Sequence, residues 1–589
     1  MALARIAVVL VFVGCSEKRP APASLGSGSG SAVAKPSALE GIWEAHRSFG
    51  PAVRGTLELV KSRHETVAQI AGLTQRVVFK DEYLSFELPD GKGAFIGRRG
   101  LMTEIRGHWI QPPTVNDGAR FASPVSLRPD GEGNWRGEVV PLEDEWTIYL
   151  VVSRGPDGTL QGFIRNPDRN MGVFWKLDRI EHTGDRVKLV GKWRGRGDEQ
   201  TFGEGTFRDG KLSIDFPQRG GVYEFTPLAD TSHFYARGAK TPAPWRYQPP
   251  PAADDGWQVG TLDEAGMTAG PIAELVKVID KPATALADPD IHGFLVARDG
   301  KLVVEEYFHG YGRDRPHETR SAAKSVTATL VGSAIAAGHL ALTTRVYDVL
   351  SPKERDPKKR AMTVEHLLTM ASGYDCDDAV GDRPGSENVV SDEQKDPDYY
   401  RYTLQLPMEL APGKEAVYCS INPNLLGAVL AKATGRPLLE LFHDGFAAPL
   451  GIKRYHLNLQ PTGEPYFGGG QKYLPRDFMK MGQMMLDGGV WNGKRVISKE
   501  FATRAGSPLV TLRKQGPGLH YGYLWWTIDY PHRGKTLRAY FATGNGGQVV
   551  VVIPELHLVV AGYGGSYAAP GGLLMANEYI PKYILPAVK

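Results

Sequence analysis

One stretch, "TPAPWRYQPPPAADDGW" at residues 241–257, divides the chain and limits what it can fold into. A proline-rich run of this kind is extended and semi-rigid, so no single core can be built across it. Before it lie short runs of alternating hydrophobicity, among them "RGTLELV", "YLSFEL", "WTIYLVV", "RVKLVG" and "KLSIDF", separated by Gly, Asp and Pro. Period-two runs at that spacing predict antiparallel β structure in a barrel or sandwich over residues 40–240. After the run the apolar segments lengthen, which predicts a mixed α/β domain over 259–589, with 241–258 as linker. A chain of 589 residues has room for two or three such domains. The expected architecture is therefore multidomain, an N-terminal all-β barrel-like domain followed by an α/β domain.

A Gly-x-Trp triplet recurs in the β-rich part, at Gly41-Ile42-Trp43, Gly107-His108-Trp109, Gly133-Asn134-Trp135 and Gly191-Lys192-Trp193. Tryptophans so placed read as core packing in a β-barrel rather than as an aromatic platform for envelope glycans.

The start, "MALARIAVVLVFVGC", has one Arg ahead of a short apolar run ending at Gly14-Cys15, the shape of an export signal. "FVGC" resembles a bacterial lipobox, which makes Cys15 the expected lipidation site and residues 1–15 a lipoprotein signal. Residues 16–39, rich in Gly, Ser and Pro, cannot bury enough apolar surface to fold and read as a disordered tether. The expected location is the bacterial cell envelope, with a lipid anchor in the membrane. Cys376 and Cys419 then remain in the mature chain, either as one disulfide or as two buried thiols; their spacing does not choose. The formal charge of +3 comes without any long basic run, so nucleic acid is not an expected partner. No His/Cys cluster has metal-ligand spacing, and neither metal nor cofactor is expected.

The chemistry is concentrated in "HETRSAAKSVTATLVGSAIAAG", residues 317–338. Apolar residues occupy nearly every face up to the terminator Gly338, so this is a central helix, yet it carries Lys324. On a helix, positions i and i+3 share a face, which brings the Lys324 ammonium within reach of the Ser321 hydroxyl. Burial disfavours the charged amine, and a neutral amine can accept a proton from serine. Ser321 also sits where a helix dipole favours developing negative charge. The bland reading of Ser321 is a helix N-cap, and that of Tyr418 a strand-end aromatic.

Two later segments argue for the chemical reading: "PGKEAVYCSINPNLLGAVLAKATG" (412–435), with Tyr418 ahead of a second apolar helix, and "YFATGNGGQVVVVIPELHLVVAGYGG" (540–565), a glycine-rich turn between β-prone strands. In this order the three segments resemble the serine β-lactamase and penicillin-binding-protein superfamily, in particular its class C, esterase and 6-aminohexanoate-oligomer hydrolase branch. "MTVEHLLTMASGYDCDD" (362–378), "APLGI" (448–452), "YLPRDFMKMGQMMLDGGVWNGKRVIS" (473–498) and "YGYLWW" (521–526) look like segments of the same family. The resemblance covers roughly residues 260–575 and implies an antiparallel sheet flanked by helices.

Carried over residue by residue, the resemblance makes Ser321 the acylated nucleophile, Lys324 its proton acceptor and Tyr418 the matching acid and base. It gives the oxyanion the N–H of Ser321 and one from the "ATGN" run, taken as Asn545 to within one or two positions. Ser420, Thr543, Gly544 and Asn545 are the expected substrate and oxyanion contacts. The chain departs from the pattern twice. Tyr-x-Asn is here Tyr418-Cys419-Ser420, and the Lys or His usual before Thr/Ser-Gly is Ala542. Without that cation a β-lactam carboxylate lacks its partner, so a neutral ester or amide is the expected substrate. The alternatives are a β-lactamase or D,D-peptidase, and a sensor that is acylated without turnover. His366 in "VEHLL" reads as a locally satisfied helix residue, and "YFGGGQ" (466–471) as a pocket-lining turn.

Overall fold

The computed structural model describes residues 37–100, 103–116, 118–131, 133–192, 198–280, 291–514, 516, 518–567 and 573–589. The signal and tether readings at 1–36, with Cys15, and Trp193 of the fourth triplet lie outside the described residues.

The β-rich part contains two curled sheets, each with its own core. The first has nine antiparallel strands: Gly41–Gly50, Asp144–Arg154, Leu160–Asn166, Met171–Leu177, Arg179–Thr183, Arg186–Lys192, Glu199–Arg208, Lys211–Phe216 and Gly221–Pro227. Gly41–Gly50 pairs with Asp144–Arg154 on one side and Gly221–Pro227 on the other, although more than ninety and more than a hundred and seventy residues intervene. Its far strands curl toward each other, so that a Cβ on Gly191 would meet the Lys176 carbonyl oxygen at 2.3 Å; only glycine fits that approach. Trp43, Trp146 and Trp175 fill the interior.

The second sheet, Gly55–Lys61 through Trp135–Val139, is inserted between the first two strands of the first. Its core holds Trp109 with Phe86, Phe95 and Leu127. Trp43 and Trp109 are thus core residues, as the alternation predicted.

The second sheet does not end within the β-rich part. Tyr455–Leu459, from the C-terminal half, adds to the edge of Arg120–Pro129, with Leu457 opposite Ala122. Tyr455–Leu459 pairs in turn with Lys472–Tyr473, which pairs with His317–Glu318. A ladder of backbone hydrogen bonds therefore runs from the inserted sheet to the residues just ahead of Ser321. Side chains close the joint: His108 and Tyr455 are hydrogen-bonded at 2.8 Å, as are Ser123 and His456, and Tyr83 donates to the Glu440 carboxylate at 2.6 Å.

The C-terminal half is built on an eight-stranded sheet in which Gln258–Val259, Lys301–Tyr307, Ile291–Arg298, Leu558–Gly564, Gln548–Ile553, Lys535–Gly544, Trp526–His532 and His520–Tyr521 are successive neighbours. Asp299 and Gly300 both have positive φ, which gives Ile291–Arg298 and Lys301–Tyr307 the two-residue hairpin that Asp-Gly predicts. Alternate residues of a strand face opposite sides, and both sides are covered. Gly482, in the helix Pro475–Leu486, lies against Val550, Val552 and Val559, whereas Met575 of the C-terminal helical run lies against Val549 and Gly562.

The helix Lys324–Ala336 is buried at every residue from Lys324 to Gly332. Gly435, at φ 67°, closes the helix Ile421–Thr434. The proline-rich linker lies along this half: Trp245 donates to Glu306 at 2.9 Å, Tyr247 to the Val303 carbonyl at 2.9 Å, and Trp257 to the Arg476 carbonyl at 3.0 Å. Among the described residues no helix is long and apolar enough to cross a membrane.

Candidate active site

Ser321 sits in a 3-10 turn, Arg320–Ala323, that leads into the helix Lys324–Ala336. The turn is set by its surroundings. Thr319 donates both its N–H (2.9 Å) and its hydroxyl (2.8 Å) to the Gln471 carbonyl, and Arg320 is held at φ 49°, a conformation that side chains other than glycine adopt at a cost. Arg320 pairs with Glu318 at 2.9 Å and lies over the Tyr567 ring at 5.0 Å. Gly544, the last residue of Lys535–Gly544, rests on this turn, so close that a Cβ there would meet the Thr319 oxygen at 2.2 Å and the Ala322 nitrogen at 3.0 Å. The glycine of "ATGN" is required by packing.

The three expected catalytic side chains converge. Lys324 Nζ donates to Ser321 Oγ at 2.9 Å and also to the Gly468 carbonyl, which belongs to the "YFGGGQ" turn. It lies 5.2 Å from the Tyr418 ring centre, and Tyr418 interacts electrostatically with both Lys324 and Ser321. Lys324 is 1% and Tyr418 7% exposed. Tyr418 is walled by the "YGYLWW" segment, stacked on Trp526 at 5.6 Å with Tyr521 edge-on at 6.3 Å.

The basicity of Lys324 departs from expectation. Burial does push its ammonium down, but attraction to Tyr418, Glu387 and Asp378 outweighs burial and moves it above the ordinary value. A lysine enclosed among acidic groups keeps its proton, because the interaction that holds the charge is strengthened by the same low dielectric that penalises it. The expectation of a lysine neutralised by burial is corrected accordingly. Tyr418 is also moved up, by burial first, with the Lys324 charge and the bond to Ser321 pulling the other way.

Asp378 and Glu387 carried no assignment in the sequence. Asp378, inside "DCDD", accepts the N–H and hydroxyl of Ser420, each at 2.7 Å, and the Glu387 N–H at 2.9 Å; its own N–H donates to the Tyr418 carbonyl at 3.1 Å. Burial, then Glu387, pushes its carboxyl up to about 6. Glu387 accepts from Tyr466 at 2.7 Å. Only a long-range acid, 54 residues from Lys324 along the chain, could have flagged this, and nothing in the local pattern does.

The four expected substrate and oxyanion residues divide. Ser420 is fully buried and donates its hydroxyl to Asp378 at 2.7 Å. Thr543 donates its hydroxyl to the Gln548 carbonyl at 3.1 Å, a bond inside the hairpin. Gly544 abuts the nucleophile turn, and Asn545 is half-buried at the start of the turn that Gly546 (φ 89°) and Gly547 (φ 98°) complete. Ala542 is buried in the same strand, two residues from Gly544 and therefore on the same face.

Cys376 and Cys419 form a disulfide, their Cα atoms 6.0 Å apart, which ties the residue after Tyr418 to the Asp378 segment. Asp378 lies beside both sulfurs, but sulfurs bonded to each other are not thiolate ligands for a metal. His366 makes a reciprocal cap with Thr363, its local satisfaction complete.

With this geometry in hand, comparison with known proteins gives a family and several relatives. The β-lactamase family matches residues 282–564. The 6-aminohexanoate-dimer hydrolase of Paenarthrobacter ureafaciens is 28% identical over 292 residues, 46% of this chain and 71% of that protein. Esterase EstB of Burkholderia gladioli is 32% identical over 176 residues, 27% of this chain and 45% of the esterase. Among solved structures, a penicillin-binding-protein homologue from Caulobacter crescentus aligns over 55% of this chain and 99% of its own, at 15% identity and a TM-score of 0.42. The family match begins at residue 282, after the two curled sheets.

Proposed function

Residues 282–564 belong to the serine β-lactamase and penicillin-binding-protein superfamily, as a hydrolase, and from that premise we propose an exported enzyme that cleaves a neutral ester or amide through an acyl-enzyme on Ser321. The observation that carries the reading is the Ser321–Lys324 contact of 2.9 Å, with the Tyr418 ring centre 5.2 Å from the same ammonium. In it Ser321 Oγ attacks the substrate carbonyl carbon and gives its proton to the Tyr418–Lys324 pair.

With Lys324 held above its ordinary value, Tyr418 is the acceptor in this mechanism, through the minor phenolate fraction that the neighbouring ammonium favours against burial. The tetrahedral oxyanion is stabilised by the Ser321 N–H and a backbone donor from 543–545. Collapse expels the alcohol or amine, which takes the proton back from Tyr418. Water, deprotonated by the same tyrosine, then attacks the ester carbon; the bond to Ser321 Oγ breaks, Oγ takes the proton from Tyr418, and the acid leaves the restored site.

Buried Ala542 and the Ser420–Asp378 bond favour a neutral ester or amide over a β-lactam, since neither supplies a cation for a carboxylate. The Cys376–Cys419 bridge supports an oxidising compartment, and with Cys15 it supports a lipid-anchored envelope protein. The test is a fluorophosphonate probe on the intact chain. Covalent labelling that disappears in Ser321→Ala is expected; a folded chain that takes no label would sink the proposal. Nitrocefin turnover matching that of p-nitrophenyl esters would restore the β-lactamase alternative, and a burst on esters without turnover the sensor. Mass spectrometry of the mature N-terminus checks Cys15.

A further inference from the structure

The hairpin between Leu160–Asn166 and Met171–Leu177 belongs to the first curled sheet, yet its turn is pressed into the catalytic half. Asn170, 1% exposed and at φ 56°, accepts the Glu318 N–H through Oδ1 at 3.0 Å. Two residues later the Gly172 N–H donates to the Gly565 carbonyl at 3.1 Å. The Pro167 carbonyl, in the same turn, accepts from Arg315 at 2.8 Å and from Tyr311 at 3.2 Å.

These two bonds, one accepted by Asn170 and one donated by Gly172, lead to the two pieces of backbone that meet at Ser321. Glu318 lies three residues before Ser321, at the entry to the 3-10 turn. Gly565 leads to Ser566, whose N–H donates to the Gly546 carbonyl at 3.0 Å, and to Tyr567, whose ring lies 2.5 Å from where a Gly546 Cβ would stand. Gly546 is in the turn that begins at Asn545. Arg320 joins the same two segments from inside, paired to Glu318 and stacked over Tyr567. Its positive φ makes the turn dependent on outside support, since a strained backbone persists only where neighbours over-determine it.

We propose that this hairpin is a positioning element of the active site: by holding Glu318 through Asn170 and Gly565 through Gly172, the N-terminal sheet sets the spacing between the Ser321 turn and the 545–547 turn. The inference rests on the acyl-enzyme reading for its catalytic consequence. An oxyanion donor displaced by a fraction of an ångström loses much of its stabilisation, so the brace acts on the rate of acylation.

The test uses the full chain and two substitutions that both tolerate the left-handed conformation. Asn170→Gly removes the acceptor and keeps the backbone; Asn170→Asp keeps both. In Asn170→Gly, fluorophosphonate labelling of Ser321 is expected to slow about tenfold while the protein stays folded, and Asn170→Asp to stay within about threefold of the unsubstituted chain. Hydrogen exchange supplies a readout independent of catalysis: the Glu318 amide is expected to exchange faster in Asn170→Gly and not in Asn170→Asp. A folded Asn170→Gly that labels and exchanges like the unsubstituted chain overturns the brace. So does an equal loss of rate in both variants, which marks Asn170 as packing alone. If the unsubstituted chain takes no label, the acyl-enzyme reading fails and the exchange of Glu318 by itself decides whether the brace exists.

Discussion

Two lysines lie on either side of the Ser321 turn, one in the candidate active site and one in the seam between the halves of the molecule. Both are enclosed, Lys324 at 1% and Lys472 at 2% exposure. They are moved in opposite directions. Lys324, beside Tyr418, Glu387 and Asp378, is held above its ordinary value despite burial. Lys472, opposite Glu318 in the short ladder, is pushed down to about 7 by burial, then by Arg169, with Arg320 and Arg315 adding to the repulsion and Glu318 opposing it. The difference teaches that burial sets only how strongly a buried charge feels its neighbours; the sign of the neighbours decides the rest.

The largest break in that comparison comes from the cleft. Lys324→Met removes the charge that both organises Ser321 and favours the Tyr418 phenolate, and acylation measured with a fluorophosphonate is expected to fall roughly 10⁴-fold. Tyr418→Phe should lower it about 10³-fold. The pH profile sharpens the point. With Tyr418 as acceptor and its phenol above the ordinary tyrosine value, the acylation rate of the unsubstituted chain should keep rising from pH 6 to pH 10. A plateau near neutrality would instead identify a neutral Lys324 as base.

Next in size, Cys419→Ser opens the bridge that anchors the tyrosine-bearing turn. For a separation of 43 residues a loss of about 3–4 kcal/mol is expected, read as a lower denaturation midpoint that reduction of the unsubstituted chain reproduces.

The smallest effect belongs to the seam. The folded value of Lys472 lies below that of the unfolded chain, so between about pH 7 and pH 10 the unfolded state binds more protons and stability rises with pH. Below pH 7 the penalty is fully present. Lys472→Met removes it and should be more stable at pH 6.5 by on the order of 1–3 kcal/mol, an advantage that fades toward pH 10 in urea titrations. An advantage independent of pH would show that packing, not charge, separates the two lysines.

The cleft's core was legible because its signal is local. Ser321 and Lys324 are three residues apart on one helix, and the Asp-Gly turn, Gly338 and Gly435 each mark an element boundary with a single residue. What escaped depends on distant partners. Ser420 reads as a substrate contact from its neighbour Tyr418, whereas Asp378, 42 residues earlier, takes its hydroxyl. The state of Lys324 escaped for the same reason, since Asp378 and Glu387 reach it only through folding. In the β-rich half the alternation identified strands correctly but is identical in both sheets. Nothing in a period of two says that Gly41–Gly50 skips the next hundred residues to pair with Asp144–Arg154. Likewise, no motif at Asn170 announces a partner at Glu318.

That skipped pairing bears on how the molecule is made. Gly41–Gly50 is the first described strand, yet its partners end at Arg154 and Pro227, so it must wait unpaired while the inserted sheet is completed. Loop closure over such lengths slows assembly, and an unpaired strand edge invites aggregation in the interval. The catalytic half waits too, because the edge it offers through Tyr455–Leu459 is filled by Arg120–Pro129. The order in which these strands can find their partners therefore differs from their order in the chain.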